Sequence, residues 1–204
     1  MARASKQQMA LNRHAIVATS SRLFRAQGLN GVSVNDLMAA VGLTHGGFYG
    51  HFASKDQLAA IACRQALDDS RARWQSACRQ PDQDNLGNLA AFYLSAAHRD
   101  NIDDGCAITA LASDVARESE DKPVRAVYID GVKSMLARLE SFSNNDNQPE
   151  ERQQALARLA LLVGSLTLAR ATAGDPLSDA FLAAARQSLL KEQAKPGDTP
   201  RHQE

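Results

Sequence analysis

Thr44, His45, Tyr49, His51 and Lys55 put five hydrogen-bonding side chains into one short stretch, LTHGGFYGHFASK, from Leu43 to Lys55. Hydroxyl and imidazole groups donate to phosphate oxygens and base edges, and a lysine adds a point charge. Gly46, Gly47 and Gly50 stand between them. A glycine inside a helix costs about 1 kcal/mol relative to alanine. That cost has a use where a backbone must lie close to a large partner. The same stretch also suits a glycine-rich corner of an all-helical protein, with Phe48, Tyr49 and Phe52 as core, and such a corner need not touch DNA.

The residues before and after it supply the elements that would hold it. Ser33 is a good N-cap, with Asp36 three residues on as a weak capping-box partner. Val34, Leu37, Met38 and Val41 then recur at i, i+3, i+4, i+7, which gives one helix an apolar face. Gly42 is placed to end it. Leu43 turns inward, Thr44 is placed to cap a second short helix, and Phe48 and Phe52 anchor that helix from beneath. Ser54, with Gln57 at the capping-box position, opens a long third helix. Lys55 falls in its first turn, where free backbone N–H groups favour a phosphate. Two short helices joined by a tight turn are the plan of a helix-turn-helix DNA reader.

From Gly28 to Leu58, through GLNGVSVNDLMAAVG and LTHGGFYGHFASKDQL, the sequence resembles the TetR family of bacterial transcription regulators. The resemblance is specific over about the first 60 residues and one of architecture beyond them. It implies a sequence-specific DNA-binding regulator, acting as a repressor that a small molecule relieves. It also implies a second motif helix in the major groove, with His45 as the base-edge candidate, Thr44 and Gly46 beside it and Gly47 allowing close approach. Tyr49, His51 and Lys55 match phosphate contacts, and Ser33 and Asn35 match contacts at the start of the preceding helix. The stretch has no arginine for bidentate guanine contacts, so DNA shape and half-site spacing carry part of the specificity.

Charge supports a DNA-facing end. Through Lys55 the basic residues are Arg3, Lys6, Arg13, Arg22, Arg25 and Lys55, against Asp36 alone, so +5; the rest is −5, since the chain is neutral overall. Arg3 and Lys6 lie on an N-terminal arm that either adds DNA contacts or is simply solvated. No N-terminal apolar run suits a signal peptide, and no stretch is read as long enough to span a bilayer. The three cysteines are an odd count. Cys63 and Cys78 fall on one predicted helix about 22 Å apart, which excludes a bridge. The expectation is a cytoplasmic protein with reduced thiols, no metal, no cofactor and no membrane partner.

The remaining pattern predicts an all-α chain of about nine helices. Residues 1–53 form the helix-turn-helix domain, 54–193 a larger regulatory and dimerisation domain, and 194–204 a disordered tail. The first helix runs from about Leu11 to Gln27, with Leu11, Ala15, Ile16, Leu23 and Phe24 inward, and Gly28 stops it. Later helices start near Ser54, Leu86, Cys106, Val124, Glu150 and Leu177. Pro81-Asp82 with Asp84 and Asn85, and Ser143 to Pro149, are loops.

Leu159 to Ala169 is apolar nearly all round, so its helix must be covered on more than one face. Either it is buried in a monomer or it joins a homodimer. The resemblance implies the dimer, an isologous interface with Leu159, Leu162, Val163, Leu166, Phe181 and Ala184 as candidates, mirroring a palindromic operator. It also implies a small-molecule effector. Candidate lining residues are Phe92, Tyr93, His98, Cys106, Thr109, Tyr128, Met135 and Thr167, each of which also suits ordinary core. Cys106 opens a predicted helix after Asp103-Asp104-Gly105. It is either a sensing thiol or a small buried residue.

Two rivals remain. Asp114 with Glu118, or His98 with Asp100, read as acid/base pairs of an enzyme; carboxylates at i, i+4 are also an ordinary solvated face, and no nucleophile, metal or cofactor pattern accompanies them. A helical interaction module that binds no DNA explains the helices. It leaves the glycine-rich segment and the basic N-terminal quarter unexplained.

Overall fold

The structure, a computed structural model, describes residues 6–78, 84–142 and 148–193. The expected loops around Pro81-Asp82 and Ser143 to Asn147, the tail from Ala194, and Arg3 lie outside the described residues. Among the described residues the chain is all-α: α1 (Lys6–Gln27), α2 (Val34–Ala40), a 3-10 segment (His45–Gly50), α3 (Lys55–Ala77), α4 (Asn85–Tyr93), α5 (Ala96–Asp100), α6 (Ala107–Arg117), α7 (Pro123–Glu140), α8 (Gln148–Ala171) and α9 (Leu177–Gln193).

The chain packs as two compact units. The first holds residues 1–74 and 101–137, the second 75–100 and 138–204. The boundary read after residue 53 therefore falls inside the first unit.

In the first unit α1, α2 and α6 pack together around Ile16, Phe24, Leu37, Met38 and Leu111, all buried. Gly28 ends α1 with φ +79° and Gly42 ends the α2 turn with φ +69°, conformations that cost glycine little. α7 lies close on α3 because Gly131 has no side chain. A Cβ there would fall 2.5 Å from the methyl carbons of Leu67. Leu11 and Ala15, expected inward, are exposed, Leu11 by 58%. In the first turns of α1, the Met9 terminal methyl carbon lies 3.9 Å from the position of a Cβ at Gly50 of the 3-10 segment.

In the second unit α9 packs on α8 and α4, through Leu182, Ala185 and Leu189 against Leu159, Leu162, Leu166, Leu86 and Leu89. Where one helix is expected to start near Leu86, before the next near Cys106, there are two, α4 and α5. Ser95 accepts the His98 amide at 3.1 Å and donates to the Phe92 carbonyl at 2.8 Å, and the His98 ring sits on the Tyr93 carbonyl. A serine that caps a new helix and closes the old one competes with the ladder that would join them.

The Pro149–Ala171 stretch corrects one expectation. By length and composition it is apolar enough to cross a membrane. Its apolar length is explained in part by packing, since one face is buried against α9, α4 and α5.

Candidate nucleic-acid interface

The DNA-facing candidates sit on a short platform held from below. At the start of α2 the Ser33 hydroxyl accepts the Asp36 amide at 3.2 Å, and Asp36 accepts the Ser33 amide at 2.9 Å, so the capping box is complete. The Ser33 hydroxyl also donates to Asp36 at 2.6 Å. These hydrogen bonds hold the Asp36 carboxyl below the usual carboxylate range, with Lys55 adding a smaller pull. A Ser33 contact to DNA must therefore compete with this bond or use the oxygen as an acceptor.

The expected second motif helix is a 3-10 segment, His45–Gly50. Poor α propensity at three glycines and only six residues favour the tighter turn. Thr44 occupies its N-cap position, but its side chain makes no cap bond; the carbonyl of Thr44 accepts from Gly47 at 3.0 Å. Phe48 and Phe52 are buried, with ring centroids 5.6 Å apart, and fasten the segment to the core. Tyr49 stands on Phe48 edge-to-face at 5.2 Å and is 65% exposed. His45 faces Tyr49 at 6.0 Å. Thr44, His45, Gly46, Gly47, Asn35 and Ser33 are exposed, and His51 and Lys55 are half-buried. The nine candidates lie at α2 and its cap, along the 3-10 segment and at the start of α3, and each is at least partly exposed.

At the head of α3 the Ser54 hydroxyl accepts the Gln57 amide at 3.1 Å. Gln57 reaches back to the amide of Ala53 at 2.8 Å rather than to that of Ser54.

Arg13 was missed by sequence reasoning. From α1 it donates to the His51 carbonyl, and its guanidinium lies 4.3 Å from the centre of the Phe52 ring. The positive N-terminal quarter is also less free than its sum suggests. Arg22 is paired with Asp103 at 2.5 Å, and Arg25 is buried, donating to the carbonyls of Ser21 and Gly105. Burial and the neighbouring Arg73 push the Arg25 pKa down. Among the described basic residues through position 55, that leaves Lys6, Lys55 and the exposed side of Arg22, 65% accessible beside Asp103, for an outside anion.

The supposed acid/base pair is structural. Asp114 accepts the Leu29 amide at 3.3 Å, and Glu118 accepts from Asn30 at 3.0 Å, so both carboxylates tie α6 to the turn between α1 and α2.

The effector candidates divide between the units. In the first, Cys106, Thr109 and Met135 are buried, and half-buried Tyr128 donates to the Ile108 carbonyl at 2.9 Å. Burial, then the Cys106 and Cys63 thiols, push the Tyr128 pKa far up; burial takes Cys63 to about 12. In the second unit Phe92 and Tyr93 flank His98, with centroids 5.5 and 4.7 Å away. Thr167 is exposed on the outer side of α8 and donates to the Val163 carbonyl at 2.8 Å, a position that lines no interior.

Three dimer candidates need correcting as well. Leu159, Leu162 and Leu166 point into the second unit, the last two fully buried. They form the packing of α8 within the chain, which leaves nothing of Leu162 or Leu166 for a partner. Val163 and Phe181 are half-buried and Ala184 is exposed.

Residues 16–61 match the bacterial regulatory proteins, tetR family. No curated protein matches the chain. Among solved structures the chain is similar to a TetR transcriptional regulator from Chloroflexus aurantiacus, with 24% identity, TM-score 0.75, and 93% of this chain and 97% of that one covered. It is also similar to E. coli NemR in its reduced form, with 20% identity, TM-score 0.72, and 88% and 95% covered. A TetR-family regulator from Cytophaga hutchinsonii gives 19% identity, TM-score 0.72, and 93% and 98% covered. Residues 16–61 thus carry the N-terminal domain of the tetR family of bacterial regulatory proteins, and the chain as a whole shares the fold of these solved regulators.

Proposed function

We propose that the protein is a repressor that binds a palindromic operator as a homodimer and is released by a small molecule. The observation that carries the DNA-binding part is the exposed His45–Gly50 segment, anchored underneath by Phe48 and Phe52 while Tyr49 and His45 stand clear. Tyr49, His51 and Lys55 hold phosphates, with Asn35 and Ser33 beside them. Thr44 and His45 face base edges, and Gly46 and Gly47 allow close approach. The protein acts in the cytoplasm.

The dimer forms through the outer faces of α8 and α9. Leu156, Ala160, Val163 and Thr167 recur at i, i+4, i+7, i+11 on one side of α8, with Gly164 bare between them and Phe181 and Ala184 on α9. The effector contacts Tyr128, Thr109, Met135 or Cys106, or the Phe92–Tyr93–His98 cluster. To weaken operator binding tenfold it must favour the released state by about 1.4 kcal/mol.

Sensing through Cys106 itself is the second reading, favoured by its N-cap position on α6. Its 2% exposure opposes it, because an oxidant must reach the thiol. Unchanged electrophile-induced release in Cys106→Ser removes it.

The test is mobility shift of DNA from the protein's own upstream region across a salt series. A specific, salt-sensitive complex supports the proposal. If neither that DNA nor selection from random DNA yields a specific complex, the protein is a helical interaction module.

A further inference from the structure

Arg13 carries one of the six positive charges of the N-terminal quarter, yet its guanidinium faces the protein. It donates to the His51 carbonyl at the C-terminal end of the 3-10 segment and lies 4.3 Å from the centre of the Phe52 ring. That end is where a short helical turn needs help. Its last carbonyls lack partners within the turn, and the local dipole favours a cation there. The segment has little rigidity of its own, with three glycines in six residues. Its own backbone closure at that end is the pair of bonds from the His51 and Phe52 amides to the Phe48 carbonyl, at 2.9 and 3.0 Å.

The geometry points to Arg13 as a positioning residue for operator recognition. It clamps the end of the 3-10 segment to α1 and so fixes where His45, Tyr49 and His51 meet DNA, without touching a phosphate itself. The planar fork does two things at once, hydrogen bonding in its plane and stacking over a ring, and a lysine ammonium does not reproduce both. Met9, one turn earlier on α1, lies on the same side: its terminal methyl carbon is 3.9 Å from the position of a Cβ at Gly50. α1 and the 3-10 segment thus meet at two points.

This inference rests on the DNA-binding reading, and the test separates the two. Wild-type protein, Arg13→Lys, Arg13→Gln and Lys55→Ala are compared on a duplex selected from random DNA by the wild type and on a scrambled duplex, each across a salt series. Amide hydrogen exchange at residues 48–52 is measured in the free proteins. Arg13→Lys is expected to bind the selected duplex roughly tenfold more weakly, or worse, and the scrambled duplex within about twofold of wild type. Its salt dependence should stay unchanged, while Lys55→Ala loses close to one unit of salt slope on both duplexes. Exchange at residues 48–52 should quicken in both Arg13 variants.

Wild-type behaviour of Arg13→Lys on both duplexes overturns the inference, because charge alone would then suffice. So does a loss of salt slope in Arg13→Gln matching that of Lys55→Ala, which would make Arg13 a phosphate contact. If the wild type selects no duplex, the DNA reading fails, and the exchange rates still decide whether Arg13 holds the segment.

Discussion

Asp114 on α6 accepts the backbone amide of Leu29, 85 positions earlier in the chain, at 3.3 Å. The same carboxylate lies 2.8 Å from where a Cβ at Gly28 would stand. The turn that leads from α1 into α2 is therefore held by a side chain from a distant helix. Leu29 is buried, so its amide has no ready access to water if the carboxylate is removed. Asp114→Ala should cost about 1–3 kcal/mol of stability by urea unfolding, the penalty of a stranded buried donor. Asp114→Asn, which keeps an oxygen acceptor, should cost less. Equal losses in the two variants would mean that the bond to Leu29 is not what Asp114 contributes.

Gly28 gives a companion prediction on the same turn. Its φ of +79° is a conformation in which an L side chain is strained, and the Asp114 carboxylate occupies the nearby space. Gly28→Ala should lower stability by roughly 1–2 kcal/mol. Gly46→Ala, where φ is not positive and a Cβ meets nothing within 4 Å, should leave stability unchanged or raise it. A Gly46→Ala variant that unfolds as readily as Gly28→Ala would contradict the distinction between a glycine required by the fold and one that is not.

These two positions also show what the sequence made legible. Gly28 and Gly42 stop their helices as the pattern of apolar residues required, and the Ser33–Asp36 box forms in full. Such signals are local, so one sequence suffices to read them. The partners of Arg13, Arg22 and Arg25 were not legible, because they lie 38, 81 and 80 residues away. Summed charge counted these arginines as available to DNA, whereas folding turns Arg13 and Arg25 toward the protein and pairs the exposed Arg22 with Asp103. The orientation of α8 was hidden for another reason. A stretch that is apolar all round has no polar face to mark its outside, so Leu162 and Leu166 could not be told from Val163 until α9 was in place.

Acid should loosen the first unit through identifiable carboxylates. The hydrogen bond and charge of Arg22 hold Asp103 below its ordinary value of 3.8, and the cap bonds of Ser33 do the same for Asp36. A carboxylate depressed in the folded state contributes stability above its unfolded pKa. That contribution is lost as pH falls through the folded value. The window therefore opens near pH 4 and extends below it. Thermal melting between pH 5 and pH 2.5 should show a shallower acid decline in Arg22→Ala and in Ser33→Ala than in the wild type. Asp36 is exposed and Asp103 partly so, which leaves both open to solvent screening, so each difference should be small. An acid decline as steep in both variants as in the wild type would remove these two groups from the account.

The outer face of α8 gives the prediction that bears most directly on assembly. Ala160 and Thr167 are exposed in the single chain, and Gly164 between them has nothing within 4 Å of its Cβ position. A charge placed at Ala160 therefore meets only solvent in a monomer. Between two copies related by a two-fold axis, it would meet the same patch of the partner and be buried without an opposite charge. Ala160→Glu should thus leave the melting temperature of dilute protein nearly unchanged. It should shift the sedimentation coefficient at micromolar concentration from dimer to monomer, and weaken operator binding because the two half-sites are no longer engaged together. Leu162→Ala makes the contrasting case. That side chain is fully buried within the chain, so its truncation should cost about 2–5 kcal/mol of stability whatever the oligomeric state. Ala160→Glu protein that remains dimeric and binds DNA as the wild type does would place the interface elsewhere on the chain.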